Sequence, residues 1–145
     1  MKPEETIDFT IRSTWHKISR MYNVQASQYG TSMATGMVLL NINLKEGTPS
    51  TKLGPKMGME PRSLTRTLKT LEENNLICRK SDKKDKRLVR IFLTDLGKEK
   101  RELSKEKVLK FNNHLQANIT KKELKTFFTV MGKVNVLIDK NDIFT

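Results

Sequence analysis

The sequence predicts a mainly α protein with one small β-hairpin near its middle. Three observations carry that expectation. Apolar residues recur at steps of three and four over most of the 145 residues. Breaks rich in Gly, Pro, Ser and Asn divide the chain into pieces of helix length. In "RKSDKKDKRLVRIFLT" (79–94), a dense run of charge meets a strand-like apolar run.

The elements follow in order. Over residues 3–28, Ile7, Ile11, Trp15, Ile18 and Tyr22 share one helical face, with Arg12, Lys17 and Arg20 on the wet side. "YGTS" (29–32) interrupts, and Ser32 is placed to cap a helix over 33–45. That helix is apolar nearly all round, which predicts a place at the centre of the core. "EGTPS" (46–50) reads as a turn, after which Ser50 caps a short helix over 51–58. Pro55 inside that helix removes a backbone hydrogen bond and argues for a later start, which bears on Lys52 and Lys56 as phosphate contacts. Pro61 suits the first turn of the next helix, 62–75, which buries Leu64, Leu68 and Leu71 and stops at Asn74 or Asn75.

"LICRK" and "RLVRIFLT" read as two strands joined by a projecting charged loop. Thr94 or Asp95 caps a long helix over about 95–117, with Leu96, Leu103, Phe111 and Leu115 on its apolar side. "TKKE" (120–123) is a capping box opening a last helix with Leu124, Phe127, Phe128, Met131, Val134 and Ile138 inward. A short helix, a tight turn, a second helix and a two-stranded hairpin, in that order, define the winged form of the helix-turn-helix.

The formal net charge is +12. Charges of about 2–8 in magnitude suffice for the solubility of a small domain, so the excess points to polyanions, nucleic acid before membrane. Cys78 is the single cysteine, so no intramolecular disulfide forms, and a buried thiol is its expected state. No apolar run approaches the roughly 18 residues of a membrane span. The N-terminal stretch lacks the apolar region of a signal peptide, so a cytoplasmic protein is expected, with no membrane partner. His16 and His114 stand alone, without ligands at metal spacing. No nucleophile–base ordering, glycine-rich phosphate loop or paired carboxylates appear. Neither an enzyme nor a cofactor or metal is expected.

On the helix 62–75, Arg62, Ser63, Thr65, Arg66 and Lys69 lie away from the leucines. Arginine forks can take guanine N7 and O6 as a pair, and hydroxyls can take base edges or phosphates. The plain alternative is a charged surface helix. However, its start carries Arg62 and then Arg66, with no acid before Glu72, where a helix stabilised for its own sake prefers acids. In the loop, Lys83, Lys84 and Lys86 suit phosphates, and Arg87 suits the negative potential of a minor groove. Asp82 and Asp85 suit the turn itself, or the holding of a neighbouring arginine such as Arg87 or Arg79.

These pieces carry a resemblance. The helix-to-strand junction "LTRTLKTLEENNLICR", the loop "DKKDKR" and the closing "LTDLGK", within residues 50–98, resemble the DNA-binding lobe of the MarR family of bacterial transcription regulators. The resemblance implies one MarR-like domain over 1–145. Residues 33–94 form its winged lobe, and residues 1–30 and 96–145 are dimerisation helices. It implies a homodimer on a pseudopalindromic duplex site, with Arg87 at the wing tip and Asp85 as its companion. It places Arg62, Ser63, Thr65 and Arg66 at the major groove. Many members release DNA on binding a small molecule. Trp15, Tyr22, Met33 and Met37 are the candidate lining for such an effector, although residues at such helical spacing are more often plain core. Cys78 does not match the N-terminal helix position of the family's cysteine sensors. The function expected is a sequence-specific regulator, with repression as its mode; the alternatives are a sequence-tolerant architectural nucleic-acid binder and a protein-interaction module.

Overall fold

The structure, a computed structural model, describes residues 1–145. It divides into two compact units, residues 1–105 and 106–145. After a 3₁₀ turn at Pro3–Glu5, the elements are α1 (Ile7–Ser27), α2 (Met33–Asn41), β1 (Thr48–Pro49), α3 (Ser50–Met57), α4 (Pro61–Glu73), β2 (Ile77–Ser81), β3 (Val89–Leu93), α5 (Asp95–Asn118) and α6 (Lys121–Asp139). The mainly α class holds. The hairpin grows into a three-stranded antiparallel sheet of order β1-β3-β2.

The extra strand lies within the stretch expected to be only a turn. Thr48 pairs with Ile91 and Pro49 with Arg90. The helix before it ends at Asn41, four residues earlier than its apolar run suggests. Asn43 accounts for the rest: its side-chain oxygen accepts the N–H groups of Lys45 and Glu46, both at 2.9 Å, and holds a turn. Ser50 does not cap α3. It is the first helical residue, behind Pro49, and the helix is not delayed by Pro55. The hydrogen bond lost to Pro55 is that of the Thr51 carbonyl, and Thr51 is exposed to solvent.

In the first unit the core joins α2 (Val38, Leu39), Ile42, Leu53 of α3, Leu64, Leu68 and Leu71 of α4, and Leu76, Ile77, Ile91 and Leu93 of the sheet region. Met57 and Met59 close its edge. The turn between α3 and α4 depends on two glycines. Gly58 takes the left-handed conformation, φ +61°, and ends α3. Gly54 lets α3 lie close to α4, since a Cβ there would sit 3.3 Å from both a Leu64 methyl and the Met59 carbonyl. Asn75, at φ +58°, turns the chain from α4 into β2.

Thr94 is the cap of α5: its hydroxyl accepts the Gly97 N–H at 3.0 Å and donates to the Asn75 carbonyl at 2.6 Å. On α1, Ile7, Ile11 and Trp15 are exposed, while Ile18 and Tyr22 are half-buried.

The second unit holds the end of α5 and all of α6. The capping box forms as expected, with Thr120 and Glu123 each accepting the other's backbone N–H. Those bonds from Thr120 hold the Glu123 carboxyl below the usual range. Leu124, Met131 and Val134 are half-buried, whereas Phe127, Phe128 and Ile138, expected inward, are exposed. Helical spacing identifies an apolar face but does not supply what covers it. On α5, Leu96 is likewise exposed, with Leu103, Phe111 and Leu115 half-buried. No helix is long and apolar enough to cross a membrane.

Two glycine substitutions should act with opposite sign in urea unfolding. A Cβ at Gly97 would overlap the Leu76 carbonyl, so Gly97→Ala should destabilise by about 1–3 kcal/mol. Gly132 on α6 has open space around it, so Gly132→Ala should stabilise by up to about 1 kcal/mol.

Candidate nucleic-acid interface

The geometry begins with the leucine stripe of α4. Leu64, Leu68 and Leu71 are buried, and at about 100° per residue Arg62, Arg66 and Lys69 fall on the opposite side. Ser63 and Thr65 flank them, and all five residues are exposed. Arg62 and Arg66 form no ion pair within the chain, and Lys69 meets Glu73 only at 4.0 Å across solvent.

Threonines modify the chemistry of this face. Thr65 donates its hydroxyl to the Pro61 carbonyl at 2.9 Å, and Thr67 and Thr70 do the same to Ser63 and Arg66. Thr65 therefore offers outward its lone pairs and its methyl group rather than a donor. The start of α4 has no side-chain cap, with Glu60 at the N-cap position and Pro61 following. Its first N–H groups are open to an external acceptor, and the helix dipole favours an anion there.

The wing is built on Asp82. Its N–H donates to the Leu88 carbonyl at 2.9 Å, closing the loop, and Leu88 N–H returns to the Asp85 carbonyl at 3.0 Å. One carboxylate oxygen accepts the N–H groups of Lys84 (2.8 Å) and Asp85 (3.0 Å). The other accepts Arg90 Nε at 2.6 Å. The Asp85 amide, the Arg90 guanidinium and the Lys84 amide together pull the Asp82 carboxyl down to about 2.

Asp85 performs the second task. It accepts the backbone N–H of Arg87 at 3.1 Å, its Nε at 3.2 Å and its Nη2 at 3.4 Å. Arg87 is thus oriented while its side chain stays 91% exposed. Lys83, Lys84 and Lys86 surround it, all exposed and without ion pairs.

The two aspartates were expected to serve the turn or hold Arg87 or Arg79. Both serve the turn, and Asp85 holds Arg87. Arg79 is paired elsewhere, with Glu72 of α4 at 2.7 Å. The arginine on Asp82 is Arg90, which also donates from Nη1 to the carbonyls of Glu46 (3.1 Å) and Gly47 (3.4 Å). Sequence reasoning missed Arg90. The available signal was strand alternation, which sets a lone cation among Leu88 and Phe92, off the core face and in need of an acid.

Of the candidate effector lining, Tyr22, Met33 and Met37 are half-buried and Trp15 is exposed. Partial burial raises the Tyr22 phenol above its ordinary value. Cys78 is half-buried on β2, opposite Phe92.

A basic helix that is itself the second of a helix-turn-helix, with a charged wing at its side, defines a winged helix-turn-helix protein. The sequence model of the MarR family matches residues 32–89. SarZ of Staphylococcus aureus, a HTH-type transcriptional regulator, is 31% identical over 108 residues, covering 74% of this chain and 71% of SarZ. The chain belongs to the MarR family of transcription regulators. YdgJ of Bacillus subtilis, an HTH-type regulator, is 29% identical over 82 residues, 57% of this chain, and the matched stretch spans only 50% of YdgJ's length. In fold, the chain is similar to MepR of S. aureus in its DNA complex, with TM-score 0.81 and 18% identity over 90% of this chain and 97% of that one.

Acid should loosen the wing before the core. The folded value of Asp82, about 2, lies below its ordinary 3.8, so its ionised form stabilises the fold fully above pH 3.8 and that contribution fades as pH falls through about 2. In an NMR titration descending from about pH 5, the Lys84 and Asp85 amides should lose protection together with protonation of the Asp82 carboxyl. Protection that persists below the carboxyl midpoint would contradict this account of the loop.

Proposed function

We propose that the chain regulates transcription by binding duplex DNA as a homodimer on a pseudopalindromic site, as a repressor released by a small-molecule effector. The observation that carries the DNA reading is the outward face of α4, where Arg62 and Arg66 stand unpaired beside an uncapped helix start. In this reading Arg62 and Arg66 take base edges in the major groove, and Ser63, Thr65 and Lys69 complete the contact. Lys83, Lys84 and Lys86 take phosphates, and Arg87 enters the minor groove with Asp82 and Asp85 as its scaffold. MepR, similar in fold, is described in complex with DNA, which supports the reading.

The dimer reading rests on exposed apolar residues. Ile7 and Trp15 on α1, and Phe127, Phe128 and Ile138 on α6, lie open to solvent. Burying one such side chain contributes about 1.5–3 kcal/mol, so a second copy is the economical cover. Residues 1–30 and 96–145 would supply that interface and 33–94 the DNA-binding lobe. The half-buried Tyr22, Met33 and Met37, with Trp15, are the lining proposed for the effector, with Met able to adapt its shape. The site of action is the cytoplasm, where bacterial chromosomal DNA lies.

Selection of bound duplexes from a random pool should recover two related half-sites, and adding the right effector should reduce recovery. Arg66→Ala should cost about 1–3 kcal/mol and relax preference at one position of each half-site. A loss of equal size on every sequence would point instead to a sequence-tolerant binder, and no binding even at low salt would overturn the DNA reading.

Affinity should also fall steeply with salt, with a log–log slope near −0.9 for each phosphate neutralised. Replacing Lys83, Lys84 and Lys86 by Gln should flatten that slope by up to about 3. An unchanged slope would remove those lysines from the interface.

A further inference from the structure

We propose that Arg90 is the positioning residue of the wing: by joining the Asp82 carboxylate to the carbonyls of Glu46 and Gly47, it sets where Arg87 lies relative to α4. This rests on the DNA-binding reading above and deepens it. Arg90 donates from Nε to Asp82 at 2.6 Å and from Nη1 to the Glu46 and Gly47 carbonyls at 3.1 and 3.4 Å. One guanidinium thus ties together two segments that are distant in sequence.

Each end of this tie is itself rigid. Asp82 is only 8% exposed and uses both carboxylate oxygens, so the pair is unlike a solvated surface ion pair, which contributes little. Gly47 has φ +66°, and a Cβ there would meet the Ile91 carbonyl at 2.7 Å and the Phe92 ring at 2.9 Å. The backbone at Gly47 is therefore close against β3, and the chain continues directly into β1 and α3, the first helix of the helix-turn-helix. At the other end, Asp82 closes the loop that carries Asp85 and Arg87.

The tie is needed because the wing has little else to hold it. β1 pairs with β3 over only Thr48 and Pro49, and beyond Ser81↔Val89 the strand pairing gives way to the loop's own bonds, which run between Asp82, Asp85 and Leu88 and onto the Asp82 carboxylate. A two-stranded hairpin alone is marginally stable in water and free to twist. Arg87 is too exposed to be held by packing, so its position is inherited from the base of the loop. Arg90 acts through that base rather than on DNA: its side chain is 29% exposed and its fork is turned inward. Lysine keeps the charge but is a point donor without the planar fork, so it cannot span the carboxylate and the carbonyls in the same way.

The test compares Arg90→Lys, Arg87→Ala and the double variant of the full chain, using a duplex selected by the wild type. Each single change should weaken binding about tenfold, and the double variant should lose no more than either alone, because both act through one wing contact. In the free protein, Arg90→Lys should lower the amide order parameters of Lys84 and Arg87 from rigid values of about 0.85 toward about 0.6, with those of α4 unchanged. Binding of Arg90→Lys at wild-type strength, losses that multiply in the double variant, or unchanged wing amides would each overturn the proposal. If the wild type binds no duplex, the DNA reading fails, and the amide measurement alone decides whether Arg90 holds the wing.

Discussion

Burial of the leucine stripe on α4 is the constraint from which the rest follows. Leu64, Leu68 and Leu71 share one core with Leu53 from α3, Val38 and Leu39 from α2, and Ile91 from the sheet. Each contributes about 1.5–3 kcal/mol by leaving water. Against that, Arg62 in the first turn opposes the helix dipole, an effect of about 0.3–1 kcal/mol where exposed. Packing therefore outweighs electrostatics, and α4 can present a face that would be unfavourable in an isolated helix. The basic surface is permitted by the core beneath it, not by any arrangement of charges on top.

The wing meets a harder version of the same difficulty, because it has almost no core. Lys80 and Arg90 lie directly opposite in the β2–β3 register, where like charges repel. Two local devices separate them. Lys80 sits over the Phe92 ring at 5.0 Å, and Arg90 is drawn to Asp82. Asp85 takes up Arg87 in turn. Both acids of the loop are thus spent internally, and the lysines at 83, 84 and 86 are left as its outward charge. A run that looks over-charged in sequence is three arginines each paired with an acid, one lysine set over an aromatic ring, and three unpaired lysines at the loop.

What was legible in the sequence was what local chemistry decides. Apolar spacing fixed α4, Asn75 marked its end, and the Thr120–Glu123 box formed as its residue types require. The β2–β3 hairpin followed from alternation and from its charged turn. Hidden features were those set by contacts remote in sequence. β1 is only Thr48 and Pro49, too short for a pattern, and exists because Ile91 and Arg90 lie beside it. Asn43 ends α2 early through its own side chain, overriding an apolar run that would otherwise continue as helix. In the site, the exposed face of α4 was readable, whereas Arg90 was not, because its partners depend on strand register.

Strand β3 explains why these separate features form one frame. Its centre, Ile91, is fully buried and pairs on one side with Thr48 and on the other with Arg79. Toward its start, Arg90 reaches the loop before β1 and the base of the wing. Just past its end, Thr94 receives the turn that leaves α4: its N–H donates to the Leu76 carbonyl at 3.1 Å and its hydroxyl to that of Asn75. Gly97 then lies so close to Leu76 that no side chain fits between them. The helix-turn-helix, the wing and the first turn of α5 are consequently all referenced to the same five-residue strand. A small shift of that strand cannot be absorbed at one end without moving the other, because a packed interior is stiff and its hydrogen bonds tolerate little stretching. That shared reference lets a loop with few apolar contacts hold an exposed arginine in a defined place.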